Sequence, residues 1–213
     1  MTSGKDDAAA NQVTFPANRY WIFAAIAVLG LLIDLLTKWW IFGLLWPPVP
    51  GQRPVIWIWQ PHFGLEVTLN EGALFGMGQG LVWLFVVLSL AAAVGVVYWL
   101  FVAGEARDLW LTCALGAILA GILGNLYDRI GLHGVTWPAA FGPARAGQPA
   151  YAVRDWILFQ WNDALRWPNF NIADSLLVCG AIMLLLHAFR PQPAGQNRKV
   201  PTRRNSSPDF RRT

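Results

Sequence analysis

Two aspartates in the second half of the chain have the spacing and surroundings that acid–base chemistry needs. Asp174 stands at the start of an apolar run, three residues after Asn171, and Asp155 lies 19 residues earlier, across an aromatic segment that can fold back. Two carboxylates held together cannot both ionise easily, so they share a proton. One can then activate water while the other protonates a carbonyl oxygen. A structural alternative stays open, because Asn171 and Asp174 also suit the first turn of a helix.

Two further clusters place polar groups within apolar runs, where each group needs a partner. Asp34 and Lys38 are four residues apart, so they share one helical face and can pair. That pair either fixes helix packing or holds a nearby site in place. Asn125, Asp128 and Arg129 also share one face. Asp128 and Arg129 fit an interfacial salt bridge that ends a membrane span. The amide of Asn125 lies inside the span and adds nothing to such a stop signal, so it favours a functional site.

Other hydrolytic chemistries lack their residues. The sequence contains no His-Glu-x-x-His motif and no Gly-x-Ser-x-Gly elbow. No serine lies near Lys38 in the sequence, so a Ser/Lys dyad has no local support. Cys113 and Cys179 each lie within an apolar run, and we expect them to be small buried apolar residues rather than disulfide or metal ligands.

The composition indicates a membrane protein that crosses the bilayer several times. Of 213 residues, 55% are hydrophobic and only 13% are charged, whereas a soluble domain has about 25% charged residues. A disordered chain, a nucleic-acid-binding domain and a disulfide-stapled secreted module are poor fits. The net charge of +4 is explained by seven basic residues between Arg190 and Arg212, in a tail that otherwise consists largely of Pro, Gln, Asn and Ser. We interpret it as a solvated cytoplasmic tail.

Four stretches are long and apolar enough to cross the hydrocarbon core, which takes about 20 helical residues. They are residues 21–46, 81–103, 109–127 and about 171–189. With both termini in the cytoplasm, ten basic residues lie inside and four outside, as the positive-inside rule expects. The segments between the first and second spans and between the third and fourth spans then face outside.

The outer segments show strand-like and aromatic patterns. Residues 55–59 and 65–69 predict short strands of a small sheet on the membrane surface. Residues 155–167 are rich in Trp, Phe and Leu, which predicts a segment in the membrane interface. The expected fold is an all-α membrane protein: four transmembrane helices, a small extracytoplasmic β-cradle and an interfacial helical segment. We divide it into a cytoplasmic tail (1–20), a membrane domain (21–190) and a basic disordered cytoplasmic tail (191–213).

Four short motifs follow one another along the chain in the same order as in a known protein family. They are Asp34-Leu-Leu-Thr-Lys38, Asn70-Glu-Gly72-Ala-Leu-Phe75-Gly76, Gly124-Asn125-Leu-Tyr-Asp128-Arg129 and Phe170-Asn171-Ile-Ala-Asp174-Ser175. On these motifs and on the four-span frame, residues 20–190 resemble lipoprotein signal peptidase (signal peptidase II), the bacterial inner-membrane aspartic peptidase. Each motif alone is weak, but four in order are a specific signal.

The resemblance implies a catalytic pair. The first aspartate of the family lies in a Val-x-Asp-aromatic element, matched here by Val153-Arg154-Asp155-Trp156, and the second matches Asp174. By the same matching, the resemblance implies substrate-binding or supporting roles for eight residues: Asn70, Gly72, Asn125, Arg129, Asn171, Asp34, Lys38 and Asp128. It implies no metal and no organic cofactor.

One segment departs from the family pattern. Asp155 follows Asp128 after 27 positions, whereas the family has only a few residues there. We interpret residues 130–154 as an inserted surface loop, because the entropy of loop closure grows slowly with length. The insertion leaves Asp128 and Asp155 as alternative partners of Asp174. The aromatic element favours Asp155, while Asp128, directly before Arg129, is typical of an ion-pair or helix-end residue.

The resemblance also implies a substrate and a location. The substrate is a prolipoprotein, cleaved on the N-terminal side of a diacylglyceryl-modified cysteine, and the site lies towards the outer face of the bacterial cytoplasmic (inner) membrane. Contact with membrane lipids, no nucleic-acid partner and a monomeric state are expected. The alternatives are an inactive homologue and a small proton-coupled carrier, which predicts polar residues throughout several spans. The second span contains no charged residue, which favours the peptidase over the carrier.

Overall fold

The computed structural model describes residues 15–48, 54–72, 77–162 and 164–190. Most of the predicted N-terminal tail (1–20) and all of the predicted basic tail (191–213) lie outside the described residues. Residues 73–76 of the second motif also lie outside them. The division into two tails and one membrane domain therefore stays a prediction.

Helices occupy the four apolar runs. They are Asn18–Leu45 (α1), Val82–Val97 (α2), Leu109–Arg129 (α3) and Ile172–Ala188 (α4). A π-helical turn extends α2, so that its helical segment runs over Val82–Val102. Within the described residues, three helical segments are long and apolar enough to cross a membrane, while α4 is apolar but shorter, with 17 residues. The helical runs are therefore confirmed, and the count of four spans stays a prediction.

The central helix is α3, because α1, α2 and α4 all pack against it. Its sequence is rich in Gly and Ala, and such small residues let helix backbones approach closely. A Cβ atom on Gly121 would collide with the carbonyl oxygen of Ala173 in α4, and one on Gly124 would collide with the Asp34 carboxylate of α1. The polar end of α3 is therefore held close to both neighbouring helices.

The described residues form one antiparallel sheet of three strands, in the order β1-β2-β3. The strands are Ile56–Trp59 (β1), Phe63–Asn70 (β2) and Val153–Phe159 (β3). The two strands predicted from the sequence are present with small changes of their bounds. The sheet and the end of α1 share one apolar cluster, formed by Ile41, Phe42, Val67, Trp156 and Ile157. The sheet is therefore fixed at the end of α1.

The prediction of an interfacial helical segment over residues 155–167 is wrong. Residues 153–159 form β3, and the described residues between 160 and 170 contain isolated β-bridges and no helix. β3 contains the β-branched residues Val153 and Ile157 and the aromatic residues Trp156 and Phe159. Such residues suit a paired strand, and β2 provides the partner. In that pairing Thr68 lies opposite Asp155. The strand therefore brings Asp155 beside the second motif.

Residues 130–152 connect α3 to β3 and pack on β2. Trp137 is buried in an apolar cluster that also contacts Leu69 of β2. Arg145 pairs with Glu71 at an Nη2–Oε2 distance of 3.0 Å. One β-bridge joins the two arms of the loop. The segment predicted as an insertion therefore has contacts of its own with the sheet.

Candidate active site

A cavity of about 610 Å³ lies among α2, α3, α4 and the sheet. Asp155 and Asp174 both line it. Its other walls combine polar residues near the two aspartates with apolar residues along the helices, among them Asn70, Asn125, Arg129, Ile122, Leu177 and Val178. Cys179 also lines this cavity and is exposed, whereas Cys113 is half-buried. The prediction that both cysteines are buried is therefore wrong. The cavity joins a pair of carboxylic acids to an apolar surface.

Two asparagines link the two carboxyl groups. Asn171 Nδ2 donates to Asp155 Oδ1 at 2.7 Å and to Asn125 Oδ1 at 3.1 Å. Asn125 Nδ2 in turn donates to Asp174 Oδ1 at 2.8 Å. The amides therefore hold both carboxyl groups in one fixed arrangement at the wall of the cavity.

The local sequence explains why Asp174 stands at the start of α4. The backbone N–H of Asp174 donates to Asn171 Oδ1 at 2.9 Å, and the backbone N–H of Asn171 donates to Asp174 Oδ2 at 3.2 Å. This reciprocal capping box satisfies the first backbone donors of the helix. The other carboxylate oxygen of Asp174 bonds Asn125. One side chain therefore serves both the helix cap and the cavity, so the structural interpretation and the functional one are compatible.

Asp155 lies on β3 and is 2% exposed. Burial raises the pKa of its carboxyl group well above the usual value, and the negative charge of Asp174 raises it further. Lys38 and the amides of Asn70 and Asn171 act in the opposite direction without offsetting the effect of burial. The carboxyl group of Asp155 therefore keeps its proton to a higher pH than an exposed aspartate does.

The second motif reaches the cavity from the end of β2. Asn70 Nδ2 donates to Asp155 Oδ2 at 3.2 Å, and Asn70 Oδ1 accepts from the backbone N–H of Gly72 at 2.9 Å. Arg129 Nη2 donates to the carbonyl oxygen of Gly72 at 3.2 Å. The Arg129 guanidinium also lies over the ring of Phe85, 5.3 Å from its centroid. The turn at residues 70–72 is therefore fixed between Asp155 and the end of α3.

Asp34, Lys38 and Asp128 form a buried charge cluster next to the cavity. Lys38 Nζ lies 2.8 Å from Asp34 Oδ2 and 3.0 Å from Asp128 Oδ2, and it donates to Asn125 Oδ1 at 3.2 Å. Asp34 Oδ1 accepts from the backbone N–H of Ala173 at 2.9 Å. The cluster therefore ties α1 to α3 and α4 and orients Asn125. Asp128 is not among the described residues that line the cavity.

Arg154 was not predicted to be a site residue, and the structure places it in contact with Asp128. Its Nε and Nη2 atoms donate to Asp128 Oδ1 at 3.0 and 2.8 Å, and its backbone N–H donates to Asp128 Oδ2 at 3.0 Å. A basic residue inside an apolar strand was the signal that could have indicated this contact. Asp128 is therefore in ion pairs with both Lys38 and Arg154.

All the residues singled out as site residues belong to one connected network of hydrogen bonds and ion pairs. Its members are Asp34, Lys38, Asn70, Gly72, Asn125, Asp128, Arg129, Asp155, Asn171 and Asp174. In the part of the chain that the structure describes, no group of three His, Cys, Asp or Glu side chains could hold a metal ion. The catalytic and binding roles of the network stay predictions.

Comparisons with known proteins agree with one another. A family model described as Signal peptidase (SPase) II matches residues 26–190. A lipoprotein signal peptidase of Rhodopirellula baltica is 46% identical over 200 residues, which cover 92% of this chain and 86% of the relative. A lipoprotein signal peptidase of Pseudomonas fluorescens is 32% identical over 180 residues, which cover 83% of this chain and 91% of the relative.

Two solved structures of bacterial membrane enzymes, both determined by the in meso method, share the fold. One, at 2.3 Å resolution, aligns with a TM-score of 0.63 at 22% identity and covers 84% of this chain and 93% of its own. The other, at 1.9 Å resolution, aligns with a TM-score of 0.59 at 23% identity and covers 80% of this chain and 94% of its own. At this level of identity the likeness concerns the fold alone.

Proposed function

Because the chain belongs to the signal peptidase II family, and is therefore a bacterial membrane peptidase that removes signal peptides from lipoproteins, we propose that it acts as an aspartic endopeptidase. Asp155 and Asp174 form the catalytic pair and activate a water molecule. The bond that breaks is the peptide bond on the N-terminal side of a diacylglyceryl-modified cysteine.

One observation carries this proposal. Both carboxyl groups line the same cavity, and the amides of Asn125 and Asn171 link them through hydrogen bonds of 2.7, 3.1 and 2.8 Å. Water activation by two aspartates requires one protonated and one ionised carboxyl group side by side. The raised pKa of the buried Asp155 supports its role as the protonated member. Asp174 then starts as the ionised member, next to the positive end of the α4 dipole.

The two aspartates exchange protons with the substrate in two steps. Asp174 takes a proton from water as the water oxygen attacks the scissile carbonyl carbon, while Asp155 gives its proton to the carbonyl oxygen. The tetrahedral intermediate then collapses and the C–N bond breaks. Asp155 recovers a proton from a hydroxyl group of the intermediate, and the new amino group of the cysteine receives the proton held by Asp174. Both carboxyl groups return to their initial states.

The remaining polar residues position the substrate and the pair. Arg129, with Asn70 and Asn125, orients peptide carbonyl groups at the cavity wall, and Asn171 holds Asp155. The charge cluster of Asp34, Lys38 and Asp128 supports them from the side away from the cavity. The apolar cavity wall on α3 and α4 takes the signal-peptide helix and the acyl chains, because burying apolar surface is favourable.

We place the site at the outer boundary of the cytoplasmic (inner) membrane. In this arrangement α4 is the fourth span, both termini are cytoplasmic in accordance with the balance of basic residues, and the sheet rests on the outer surface. Water then reaches the two aspartates while acyl chains stay in hydrocarbon. The enzyme works as a monomer in contact with membrane lipids.

A gel-shift assay tests the mechanism. Purified full-length protein in detergent is incubated with a diacylglyceryl-modified prolipoprotein, beside Asp128→Asn, Asp155→Asn and Asp174→Asn variants. We expect cleavage before the modified cysteine, its loss in the variants at 155 and 174, and its survival at a lower rate in the variant at 128, because Asp128 supports the network through Lys38 and Arg154 without lining the cavity. Loss at 128 and 174 with survival at 155 would assign the pair differently. Absence of cleavage by folded wild-type protein would refute the proposal.

A further inference from the structure

A buried arginine joins the end of α3 to the start of β3. The guanidinium of Arg154 makes two hydrogen bonds to one oxygen of Asp128, and its backbone N–H makes a third to the other oxygen. The Arg154 side chain is 5% exposed and that of Asp128 is 0% exposed. A planar guanidinium that donates two bonds to a carboxylate has a restricted geometry. The contact therefore specifies where the chain enters β3.

This contact closes the base of the inserted loop. Asp128 and Arg154 are 26 positions apart, and the loop of residues 130–152 lies between them. The closure entropy of a loop depends only weakly on its length, so a long loop by itself does little to fix where the following strand begins. The ion pair joins the two ends directly.

We propose that Arg154 is a positioning residue that holds Asp155 in place opposite Asp174 across the insertion; this role rests on the aspartic mechanism proposed above. Side chains alternate between the two faces of a strand. Arg154 accordingly contacts Asp128 and lies 5.9 Å from the ring centroid of Phe42, while Asp155 bonds the amides at the cavity. Because the two residues are adjacent, the backbone of Asp155 cannot move without disturbing the ion pair.

Arg154 also completes the charge balance of the buried cluster. Lys38 lies between Asp34 and Asp128, and Arg154 adds the second positive charge to these two negative ones. Removing one partner from a buried ion pair leaves an uncompensated charge that the surrounding structure must accommodate. We expect the start of β3 to shift in response, because Arg154 is the second residue of this strand.

Two substitutions of Arg154 separate its charge from its geometry. Arg154→Met removes both, and Arg154→Lys keeps the charge but not the planar fork. Full-length variants are assayed in detergent on the diacylglyceryl-modified prolipoprotein. We expect kcat to fall about 100-fold for the Met variant and about 10-fold for the Lys variant, with KM within about threefold, because a displacement of about 1 Å can lower a rate by about 100-fold.

A matched control removes Arg145, an arginine of the loop that precedes β3. Arg145 pairs with Glu71 near the surface, with 46% of the Arg145 side chain exposed, and exposed ion pairs contribute little to stability. Arg145→Met should therefore keep kcat within about threefold of the wild-type value.

The pH profile distinguishes positioning from a mere loss of folded enzyme. A small displacement that keeps Asp155 buried weakens the amide hydrogen bonds that stabilise its ionised form, so the alkaline limb of kcat/KM should move to higher pH in Arg154→Met. The other charged groups that act on Asp155 are Asp174 of α4, Lys38 of α1 and Arg129 of α3, and the variant retains them. Loss of folded protein lowers the rate equally at every pH and leaves the limb in place.

The outcomes separate the positioning role from the mechanism. The positioning role is overturned if folded Arg154→Met keeps kcat within about threefold of the wild-type value. It is also overturned if the alkaline limb of kcat/KM does not shift in this variant. If Arg154→Met does not fold in detergent, Arg154→Lys decides by the same two measurements. If wild-type protein fails to cleave, the aspartic mechanism is overturned. If Asp155→Asn still cleaves, Asp155 is not the catalytic partner of Asp174. Either result overturns the positioning role as well.

Discussion

Replacing Asn70 with alanine should move the alkaline limb of the activity profile to higher pH. Asn70 Nδ2 donates to Asp155 Oδ2 at 3.2 Å and thereby stabilises the ionised carboxylate. Without this bond the pKa of Asp155, which burial has already raised, rises further. The proposed mechanism requires protonated Asp155, so activity is lost as the pH rises through this pKa. The limb must therefore move up rather than down.

The size of the shift follows from the strength of the hydrogen bond. A hydrogen bond to a charged group contributes about 1.5–3 kcal/mol, and 3.2 Å is at the long end for an N–H···O contact. We therefore take about 1.5 kcal/mol. Since one pKa unit corresponds to about 1.4 kcal/mol, the limb should move by about one pH unit. The bond from Asn171 remains and continues to support Asp155.

The measurement is the pH dependence of kcat/KM for the modified prolipoprotein, which reports the ionisation of the free enzyme. Asn169→Ala is the matched control. Asn169 lines the same cavity but donates to the backbone and the side chain of Glu66, both at 2.9 Å, so its loss should leave the limb in place. An Asn70→Ala profile with an unchanged limb, or with one at lower pH, would refute the reasoning.

Three further substitutions test the packing around the pair. Lys38→Met leaves two buried carboxylates without their shared lysine and should lower the free energy of unfolding by about 3–5 kcal/mol, measured by unfolding in detergent; a wild-type value would contradict the ion pairing. Gly124→Ala directs a methyl group at Asp34 and should lower both Tm and kcat, whereas Gly43→Ala, with open space at its Cβ position, should lower neither. Asn171→Ala removes a helix cap worth about 1 kcal/mol and also a hydrogen bond to Asp155 of the proposed catalytic pair, so kcat should fall by more than the stability change explains. Wild-type kcat in that variant would contradict the proposed link between the two carboxyl groups.

The helices could be predicted because each one is encoded by a continuous apolar run. The predicted bounds 109–127 become Leu109–Arg129, and 21–46 become Asn18–Leu45. The polar ends of these runs are local features as well, since Asn171 and Asp174 form the capping box that their spacing indicates. These parts of the fold need no distant partner to be recognised.

Strand β3 could not be predicted in this way. Its residues are buried on both faces up to the last one, so the alternation that identifies a half-buried strand is absent. Its partner β2 is distant in sequence, and Asp155 meets Asn70 across 85 positions. The contact of Arg154 was missed for the same reason, because its partner Asp128 lies on the far side of the loop of residues 130–152.

The site also shows why amides, rather than charged groups, contact the two aspartates. Lys38 donates to Asn125 Oδ1, and Asn125 Nδ2 donates to Asp174, so an amide stands between the lysine and the pair. A cation in direct contact with a carboxyl group favours its ionised form, which would remove the acid that the proposed mechanism needs. An asparagine transmits the orientation of the buried charge cluster without adding a charge at the pair. The charges of that cluster instead pair with one another, so the network can fix Asp155 and Asp174 in place and still leave one proton for them to share.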